Sequence, residues 1–427
     1  MPPRVSLSAF LAGLLLLLGA CNGTDPAESE GDALAASDAE KNGAPARLTI
    51  TEVPDEPLGD PVHGKELARK FECQRCHESA DLPMIASERH CVRCHQEILA
   101  GRFREKPEHA RWGKNVVAHR DTPTLHAIGA RYRPGFVVRY LLAPKDLRPA
   151  LVPTMPRLAM TRDEARDIAA YLFQDGKEAA PMSLEGADPA AGRRLLESKE
   201  CGACHVMTGV PALPGASARA PGEVERRSAV ALAPDLRFAR EKYRPAELVR
   251  WIRDPGAVKV DTYMPTVAMT EDEARNIAAY LLTAPLDLPP PTPLVRLPLL
   301  ARRVTFDEVD QRVLGKTCRH CHGNPDVAMG DGGPGNTGGF GFAPKRLEMT
   351  SYATISAGYV DSTGERHSVF EKLADGTPRI VAALLARHDE GNGAPRSDVR
   401  GMPLGLPPLS PEDIQLVESW VAQGRPR

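Results

Sequence analysis

Four short segments of the chain share one pattern, in which two cysteines three positions apart are followed at once by a histidine. They are Cys73-Gln-Arg-Cys76-His77, Cys91-Val-Arg-Cys94-His95, Cys201-Gly-Ala-Cys204-His205 and Cys318-Arg-His-Cys321-His322. Two thiols one helical turn apart can reach the two vinyl groups of one porphyrin, and the histidine that follows lies where it can ligate the iron. The chemistry indicated is covalent attachment of c-type haem, and four copies predict four haem c groups.

The number and placement of the cysteines favour haem attachment over two alternatives, a zinc site and disulfides. Eight of the nine cysteines lie in the four motifs, so chance is not a serious competitor. The first four motif cysteines, at 73, 76, 91 and 94, also have the paired spacing of a zinc ribbon, but a ribbon does not require a histidine after each pair. Zinc at that site, and disulfides at all four sites, stand as the weaker alternatives.

The N-terminus predicts export and a lipid anchor. Arg4 precedes an apolar run from Val5 to Leu18, which has the length of a secretory signal and is too short for a comfortable membrane span. The sequence Leu-Gly-Ala-Cys ending at Cys21 resembles the bacterial lipoprotein processing box. We therefore expect residues 1–21 to be a lipoprotein signal, with Cys21 as the lipid attachment site on the periplasmic side of a membrane. An ordinary cleavage site with an incidental thiol, or an uncleaved anchor, are the alternatives.

An acidic segment follows the signal. Residues 22–57 are rich in Ala, Gly, Asp, Glu, Ser and Pro, a composition typical of a disordered tether. Residues 22–60 hold ten Asp or Glu against Lys41 and Arg47, a net charge of −8, whereas the whole chain carries −2. The remaining body is thus mildly basic, and the propionates of four haems would bind much of its excess Arg. No nucleic-acid partner is expected.

An internal repeat defines the organisation of the body. Residues 155–173, MPRLAMTRDEARDIAAYLF, align without gaps to residues 264–282, MPTVAMTEDEARNIAAYLL, with 14 of 19 positions identical. Upstream, the segment that begins Arg131-Tyr-Arg-Pro aligns with Lys242-Tyr-Arg-Pro, and Pro123 aligns with Pro234. Two whole domains are therefore duplicated.

Helices must position the motifs. Thr161 and Thr270 are predicted N-caps, each with a Glu three residues on, and each opens a helix that ends its repeat. Ser410 followed by Pro411 predicts a third such helix near the C-terminus. Short helices are also expected before the motifs, over 63–71, 187–197 and 307–315. The predicted plan of each unit is helix, cysteine–histidine motif, irregular middle, Met-Pro and terminal helix.

This plan resembles class I cytochrome c. The resemblance covers nearly all of residues 58–283 and implies an all-α fold built from consecutive cytochrome c-like domains. We expect a dihaem domain over 58–180 (the first repeat), a monohaem domain over 181–283 (the second repeat), a stiff Pro-rich linker over 284–301 and a third domain over 302–427 (the C-terminal unit). The last has a glycine-rich stretch from Gly330 to Gly341 and looks more like the cytochrome c-like domains found in planctomycete proteins.

The resemblance also implies the axial ligands. The histidine that closes each motif, at 77, 95, 205 and 322, is the expected proximal ligand. Methionine ahead of the terminal helix is the expected distal ligand, at Met155, Met264 and Met402, although core packing is the ordinary role of a methionine. Met160 and Met269 are better interpreted as core. Pro123 and Pro234 resemble the family proline whose carbonyl accepts the ring proton of the proximal histidine.

The inserted motif at Cys91 and Cys94 has no Met-Pro of its own. By position, His77 belongs with Met155, which leaves His95 without an assigned distal partner; the swapped pairing, His95 with Met155, stays open. Histidines crowd this repeat only, and a bis-histidine haem is expected, with His119 or His109 as the first candidates and His63 next. His90 is chained directly to Cys91 and is badly placed. Met84, or an open iron, are the alternatives.

Saturated ligation predicts electron transfer, because an iron with both axial positions filled exchanges electrons with little rearrangement and cannot bind substrate. We expect a membrane-tethered tetrahaem relay between redox protein partners, or the haem subunit of an oxidoreductase complex. The alternative is a haem enzyme, a peroxidase or small-oxyanion reductase, that uses an open iron at the inserted haem. A redox or gas sensor is a third possibility that no sensory motif supports.

Overall fold

The computed structural model describes residues 54–79, 81–85, 90–107, 109–116, 122–149, 155–176, 179–215, 228–290, 292–323, 347–361 and 363–427. Several sequence predictions fall outside these residues. They are the signal segment with Cys21, most of the acidic tether, His119 and the stretch from Gly330 to Gly341.

Short helices joined by irregular segments form the first repeat. They are Pro61–Lys70, Cys91–Leu99, His109–Asn115, Pro134–Leu142 and Arg162–Leu172, with a 3-10 turn at Cys73–Arg75. The terminal helix begins with the predicted capping box, in which Thr161 accepts from the Glu164 amide and Glu164 accepts from the Thr161 amide. This reciprocal bonding satisfies two backbone donors that the helix itself leaves unpaired.

The second repeat follows the same order. Its helices are Pro189–Ser198, Ser228–Ala231, Ala239–Lys242, Pro245–Arg253, Pro255–Val258 and Glu271–Thr283, with 3-10 turns at Cys201–Ala203 and Leu236–Phe238. Thr270 and Glu273 form the second predicted capping box. The local signals that define the repeat in sequence therefore produce the same helix starts in both copies.

In each repeat the first helix crosses the terminal helix at a glycine. A Cβ placed on Gly64 would overlap the carbonyl of Asp167, and one on Gly192 would overlap the carbonyl of Asn276. The missing side chain lets the two backbones approach closely. Met160 and Met269 pack at the edges of the cores around these crossings, as predicted.

The C-terminal unit is assembled differently. Its helices are Phe306–Val309, which continues as a π-helical stretch Asp310–Cys318, then Arg319–His322, Tyr352–Ala357, Arg379–Gly391 and Pro411–Ala422. The two-residue strands Tyr359–Val360 and Arg366–His367 pair antiparallel. The last helix starts as predicted, with Ser410 accepting from the Asp413 amide and Pro411 in its first turn.

An aromatic cluster takes the place of the glycine crossing in this unit. Trp420 is fully buried, and its ring lies 5.8 Å from Phe306, 6.4 Å from Tyr352 and 5.6 Å from Phe370, measured between centroids. Its indole nitrogen donates to the Pro426 carbonyl at 3.0 Å. Large interlocking rings therefore form the centre of this core.

The segment predicted as a linker lies along the C-terminal unit. Residues 284–290 and 292–300 form no helix or strand. The Leu300 amide nevertheless donates to the Ser419 hydroxyl at 2.9 Å, and the Gln415 side chain donates to the Pro298 carbonyl. The segment thus serves as a strap across the last helix as well as a connection.

The described chain is mostly helical, in agreement with the all-α prediction, and the two repeats and the C-terminal unit pack as one body. Among the described residues the three largest buried cores lie one in each of the three regions, and two smaller clusters lie in the first repeat. Among the helices described, none has the length and apolar character needed to cross a membrane.

Candidate haem sites

The motifs of the two repeats sit on the same tight turn. Glu72 (φ 49°) and Glu200 (φ 56°), the residues just before the first cysteine, have left-handed backbones. The chain then winds through one 3-10 turn, so that the His77 amide donates to the Cys73 carbonyl at 2.9 Å and the His205 amide to that of Cys201 at 3.0 Å. This turn brings both thiols and the imidazole to one side of a short loop.

Each predicted proximal histidine of the repeats is held by the predicted proline carbonyl. His77 Nδ1 donates to Pro123 at 2.7 Å, and His205 Nδ1 donates to Pro234 at 2.8 Å. Because Nδ1 carries the proton, Nε2 is left with a lone pair for a metal. Burial lowers the pKa of His77, which also favours the neutral imidazole. The predicted histidine–proline hydrogen bond is confirmed in both repeats.

In the C-terminal unit the motif histidine also bonds a backbone carbonyl, but the motif lies on a helix. His322 lies on the helix Arg319–His322, and it donates to the carbonyl of Leu347 instead of a proline. Burial lowers the pKa of His322 and raises that of the Cys318 thiol to about 12. The motif thiol is therefore protonated at neutral pH before any bond to a porphyrin is made.

One continuous cavity joins the sites of the two repeats. Its volume is 770 Å³, and its walls include the cysteines and proximal histidines of both motifs, at 73, 76, 77, 201, 204 and 205. The predicted distal ligands Met155 and Met264 line the same cavity and are half-buried. Sequence spacing does not determine how close the two sites lie in space, and the fold makes them neighbours.

The third predicted distal ligand lies in the C-terminal unit. Met402 packs at the edge of the core of that unit, and its amide donates to the Ala383 carbonyl at 2.8 Å. The Met402–Pro403 peptide bond is cis. Met402 thus immediately precedes a proline and stands before the terminal helix, as do Met155 and Met264.

The inserted motif forms the start of the helix Cys91–Leu99, which His90 caps by accepting from the Arg93 amide at 3.1 Å. The Cys91 thiol is hydrogen-bonded to the Cys76 thiol, so the two motifs of the first repeat touch. The eight motif cysteines form no disulfide. Within the described ranges, no three of the four cysteines of the proposed zinc ribbon bring their sulfur atoms within 4.8 Å of one another. The geometry therefore does not form a four-cysteine metal site.

The candidate distal ligands of the inserted site lie in different places. His109 Nε2 donates to the Ile98 carbonyl at 3.0 Å, which holds the ring against the helix that carries His95. His63 lies elsewhere, at an exposed position where its Nδ1 bonds Asp167 at 2.8 Å. Met84 is 81% exposed. Of the two first candidates, His109 is thus bonded to the motif helix, and His119 lies outside the described residues.

Direct contacts hold the two repeats against each other. The Arg133 amide donates to the Lys242 carbonyl at 2.8 Å, and its Nε donates to the Tyr243 carbonyl at 2.9 Å. At the rim, Lys145 of the first repeat pairs with Glu241 of the second at 2.6 Å. The shared cavity therefore lies at a packed interface between the two repeats.

The C-terminal unit contacts the first repeat close to both methionine segments. Buried Glu390 accepts from Arg157 at 3.3 Å and from the Gly401 amide at 2.8 Å. Arg157 is two residues after Met155, and Gly401 immediately precedes Met402. Arg387 of the same unit lies 3.8 Å from Asp146 of the first repeat. The first repeat thus contacts both other regions.

The sequence by itself does not single out which charged groups take part in this arrangement. Arg131, Arg148 and Lys242 line the shared cavity, and Glu390 links two methionine segments. The repeat alignment holds part of the signal, because it places a basic residue and a tyrosine before Arg-Pro in both copies. No local pattern marks Glu390, whose partner Arg157 is 233 positions away in the chain.

The shared cavity fits bound porphyrin. Its volume lies within the range usual for cofactor sites, its walls are mainly apolar, and paired thiols and an imidazole meet there twice. Arg131 and Lys242, each buried in its wall, are suited to bind carboxylates such as propionates. Residues 73, 76 and 77 would hold one haem and residues 201, 204 and 205 another.

Comparison with protein-family models matches residues 189–285 to the family Cytochrome c. Comparisons of the chain with curated proteins and with solved structures find no match. The matched region begins at the helix before Cys201 and extends just past the terminal helix Glu271–Thr283, so it contains the whole second repeat site. The match at residues 189–285 supports a c-type cytochrome, and a domain of this family implies covalently bound haem c and suggests haem-based electron transfer.

Proposed function

We propose that this chain is a tetrahaem c-type cytochrome that relays single electrons between redox protein partners. The observation that carries the proposal is the single cavity lined by two cysteine–histidine motifs and two methionines. The haem groups supply one-electron oxidation and reduction when bound. A relay requires sites close enough for exchange, and the fold provides that closeness for the two repeats.

The protein residues have two tasks in this function. The Pro123 and Pro234 carbonyls fix the tautomer of His77 and His205, which raises the basicity of the nitrogen that faces the cavity. Met155 and Met264, which line the cavity, would each supply a second protein ligand to a bound haem. A soft thioether ligand raises the reduction potential relative to a second imidazole. A second protein ligand would also leave no position for a substrate at the metal.

The contacts support a path that does not follow chain order. The motif at Cys73 and Cys76 shares the cavity with the second repeat and touches the inserted motif through Cys76 and Cys91. Arg157 of the same repeat contacts Glu390 of the C-terminal unit. We propose that the site at His77 is the centre of the relay and that the other three sites are branches. A bis-histidine haem at His95, with His109 or His119, would have the lowest potential.

We further propose that a lipid on Cys21 tethers the relay to a membrane and that the acidic segment after it lets the relay reach its partners. The partners are a donor and an acceptor among redox proteins. Mass spectrometry of the protein purified from membranes would test the anchor. A mature chain that begins at Cys21 and carries fatty acyl mass supports it, and a mature chain without acylation contradicts it.

The central experiment is low-temperature EPR of the oxidised, haem-loaded protein beside a carbon monoxide difference spectrum of the reduced protein. We expect a haem-to-protein ratio of four, only low-spin ferric signals and no carbon monoxide adduct. The variant Met264→Ala provides the positive control, because it should open one iron and produce both a high-spin signal and an adduct. A high-spin signal in the unaltered protein, together with an adduct on one haem, would contradict the relay and favour catalysis or gas binding at His95.

A further inference from the structure

Three cations line the shared cavity without a carboxylate beside them. Arg131 and Lys242 are 4% exposed, and Arg148 is half-buried in the same wall. Among the residues that the structure describes, no Asp or Glu oxygen lies within 4.0 Å of their charged nitrogens. Other basic residues of the wall are paired, such as Lys259 with Asp261 and Lys199 with Glu273. The three therefore form a distinct cationic group.

The partners of Arg131 and Lys242 are neutral or aromatic. Arg131 donates to the Tyr132 hydroxyl at 3.0 Å and to the carbonyls of Ala127 and His126. Lys242 bonds the same hydroxyl, and its Nζ lies 4.9 Å from the centre of the Tyr132 ring. Hydrogen bonds of this kind satisfy the donors but leave the buried charge uncompensated, which is costly in a protein interior.

The same uncompensated positive charge shifts the pKa of nearby groups. Burial opposes ionisation of Tyr132, but the charges of Arg131, Lys242 and Arg148 outweigh it and lower the pKa of that phenol to about 7. Burial likewise lowers the pKa of Lys242. A negative group in the cavity would relieve both effects, because it would keep Lys242 charged and stabilise the phenol in its neutral form.

Two of the three cations, Arg131 and Lys242, come from equivalent positions of the two repeats. Arg131-Tyr132 of the first repeat aligns with Lys242-Tyr243 of the second. The two tyrosine rings meet across the interface with centroids 5.4 Å apart, and Arg131 lies 5.4 Å from the ring of Trp251 in the other repeat. Each repeat therefore contributes the same basic residue and tyrosine to the interface, and the two pairs form one group.

We infer that Arg131, Lys242 and Arg148 form a single carboxylate-binding site that is shared by the propionate groups of the two porphyrins anchored at His77 and His205. This inference rests on the proposed function, since it requires both repeats to carry haem. Haem bound at these two sites would supply one-electron exchange with a redox partner, and the three cations would transfer no proton. Their positive charge beside the propionates would raise the reduction potential of both groups, because reduction removes one positive charge nearby.

The test compares Lys242→Met with Arg131→Met in the full-length, haem-loaded protein by optical redox titration, fitted as four one-electron steps. A shared site predicts that either variant lowers the same two potentials, although the substituted residues belong to different repeats. We expect about a tenfold change in each reduction equilibrium, which is 59 mV for a one-electron couple. Separate sites would instead lower one potential in each variant, and that result would overturn the inference.

Two further variants guard against a merely structural effect. Lys242→Arg keeps the charge and should leave all four potentials unchanged. Lys145→Met removes a lysine from the same interface, where it pairs with Glu241 at the rim, and should shift no potential of the pair. Equal shifts in Lys145→Met and Lys242→Met would overturn the inference. If Lys242→Met does not assemble with haem, the potentials of Arg131→Met are compared with those of Lys145→Met. If Arg131→Met lowers only one potential, the inference is overturned.

The outcome is separable from that of the proposed function. Carbon monoxide binding and high-spin signals test whether the irons are capped, and they do not depend on the cations. Low-spin irons together with unchanged potentials in Lys242→Met and Arg131→Met would support the relay and contradict the shared site. A carbon monoxide adduct, together with the same two potentials lowered in both variants, would contradict the relay and support the shared site.

Discussion

The second repeat and the C-terminal unit carry the same Cys-x-x-Cys-His motif on different backbones. In the second repeat the helix Pro189–Ser198 ends before the motif, and Glu200 has a left-handed backbone. The motif then forms a separate 3-10 turn. In the C-terminal unit a π-helical stretch runs directly into Cys318, and His322 ends the helix that follows. Both proximal histidines nevertheless donate to a backbone carbonyl. The motif therefore constrains the imidazole and thiols more than it constrains the path of the chain.

The two regions also close their cores differently. The repeats bring two helix backbones together at Gly64 and Gly192, whereas the C-terminal unit fills the centre with Trp420 and three other rings. A backbone contact tolerates no added atom, while an aromatic core depends on large side chains. The repeats should thus be sensitive to enlargement, and the C-terminal unit to truncation.

The largest expected effect is the truncation Trp420→Ala. It removes a fully buried ring and the donor to the Pro426 carbonyl, and it should cost the C-terminal unit about 3–5 kcal/mol of unfolding free energy. Hydrogen exchange of the amides in Pro411–Ala422 measures the local loss. Trp420→Phe keeps most of the ring and should cost clearly less. Equal losses in both variants, or exchange that rises in the repeats instead, would break the comparison.

Enlargement of the repeat crossings comes next. A methyl group at Gly192 meets the Asn276 carbonyl, so Gly192→Ala should destabilise the second repeat by about 1–3 kcal/mol, and Gly64→Ala should do the same in the first. Gly113 lies in the helix His109–Asn115 with no neighbour within 4 Å of an added methyl group. Gly113→Ala should therefore be neutral or slightly stabilising. Hydrogen exchange of the amides in both crossing helices measures these changes. Equal changes in stability in all three variants would contradict the expectation.

A smaller effect, opposite in sign, is expected just before the motif. Glu200 has the left-handed backbone that glycine adopts without strain, so Glu200→Gly should stabilise the second repeat by about 0.5–1 kcal/mol. Thr317 occupies the matching place in the right-handed π-helical stretch, and Thr317→Gly should destabilise the C-terminal unit by a similar amount. Denaturant titration followed by local hydrogen exchange measures both. Two changes of the same sign would mean that the backbones do not differ as described.

The smallest effect concerns the hairpin, which only the C-terminal unit has among the described residues. The hydrogen bond to Asp361 raises the pKa of His367 above 6.5, and bonds from Thr363 and His367 lower the pKa of Asp361 below 3.8. The contribution of His367 is full below pH 6.5 and fades as pH rises through its raised pKa, while that of Asp361 is full above 3.8 and fades as pH falls through its lowered pKa. Protection of the hairpin amides should therefore be greatest between these values. NMR titration of His367 in Asp361→Asn should show its pKa returning toward 6.5, and an unchanged titration would contradict the pairing.

Much of the site could be predicted because its signals are local. The Cys-x-x-Cys-His spacing, the two capping boxes and the proline carbonyls at 123 and 234 act over a few residues or occur twice in the repeat. The identity of the distal ligand at His95 remains a prediction, with His109 held against its helix. Three separate linear domains are also what a sequence repeat favours, since spacing carries no information on how repeats meet.

The sequence by itself determined the attachment chemistry, the helix starts and the duplication, because hydrogen bonds and side-chain reach within one turn do not depend on distant parts of the chain. Only the tertiary structure decided that two sites share one cavity, that Arg131 and Lys242 meet there, and that Glu390 links the C-terminal unit to the first repeat. These contacts join residues about a hundred or more positions apart. Their formation depends on which surfaces remain to be buried once each core has closed.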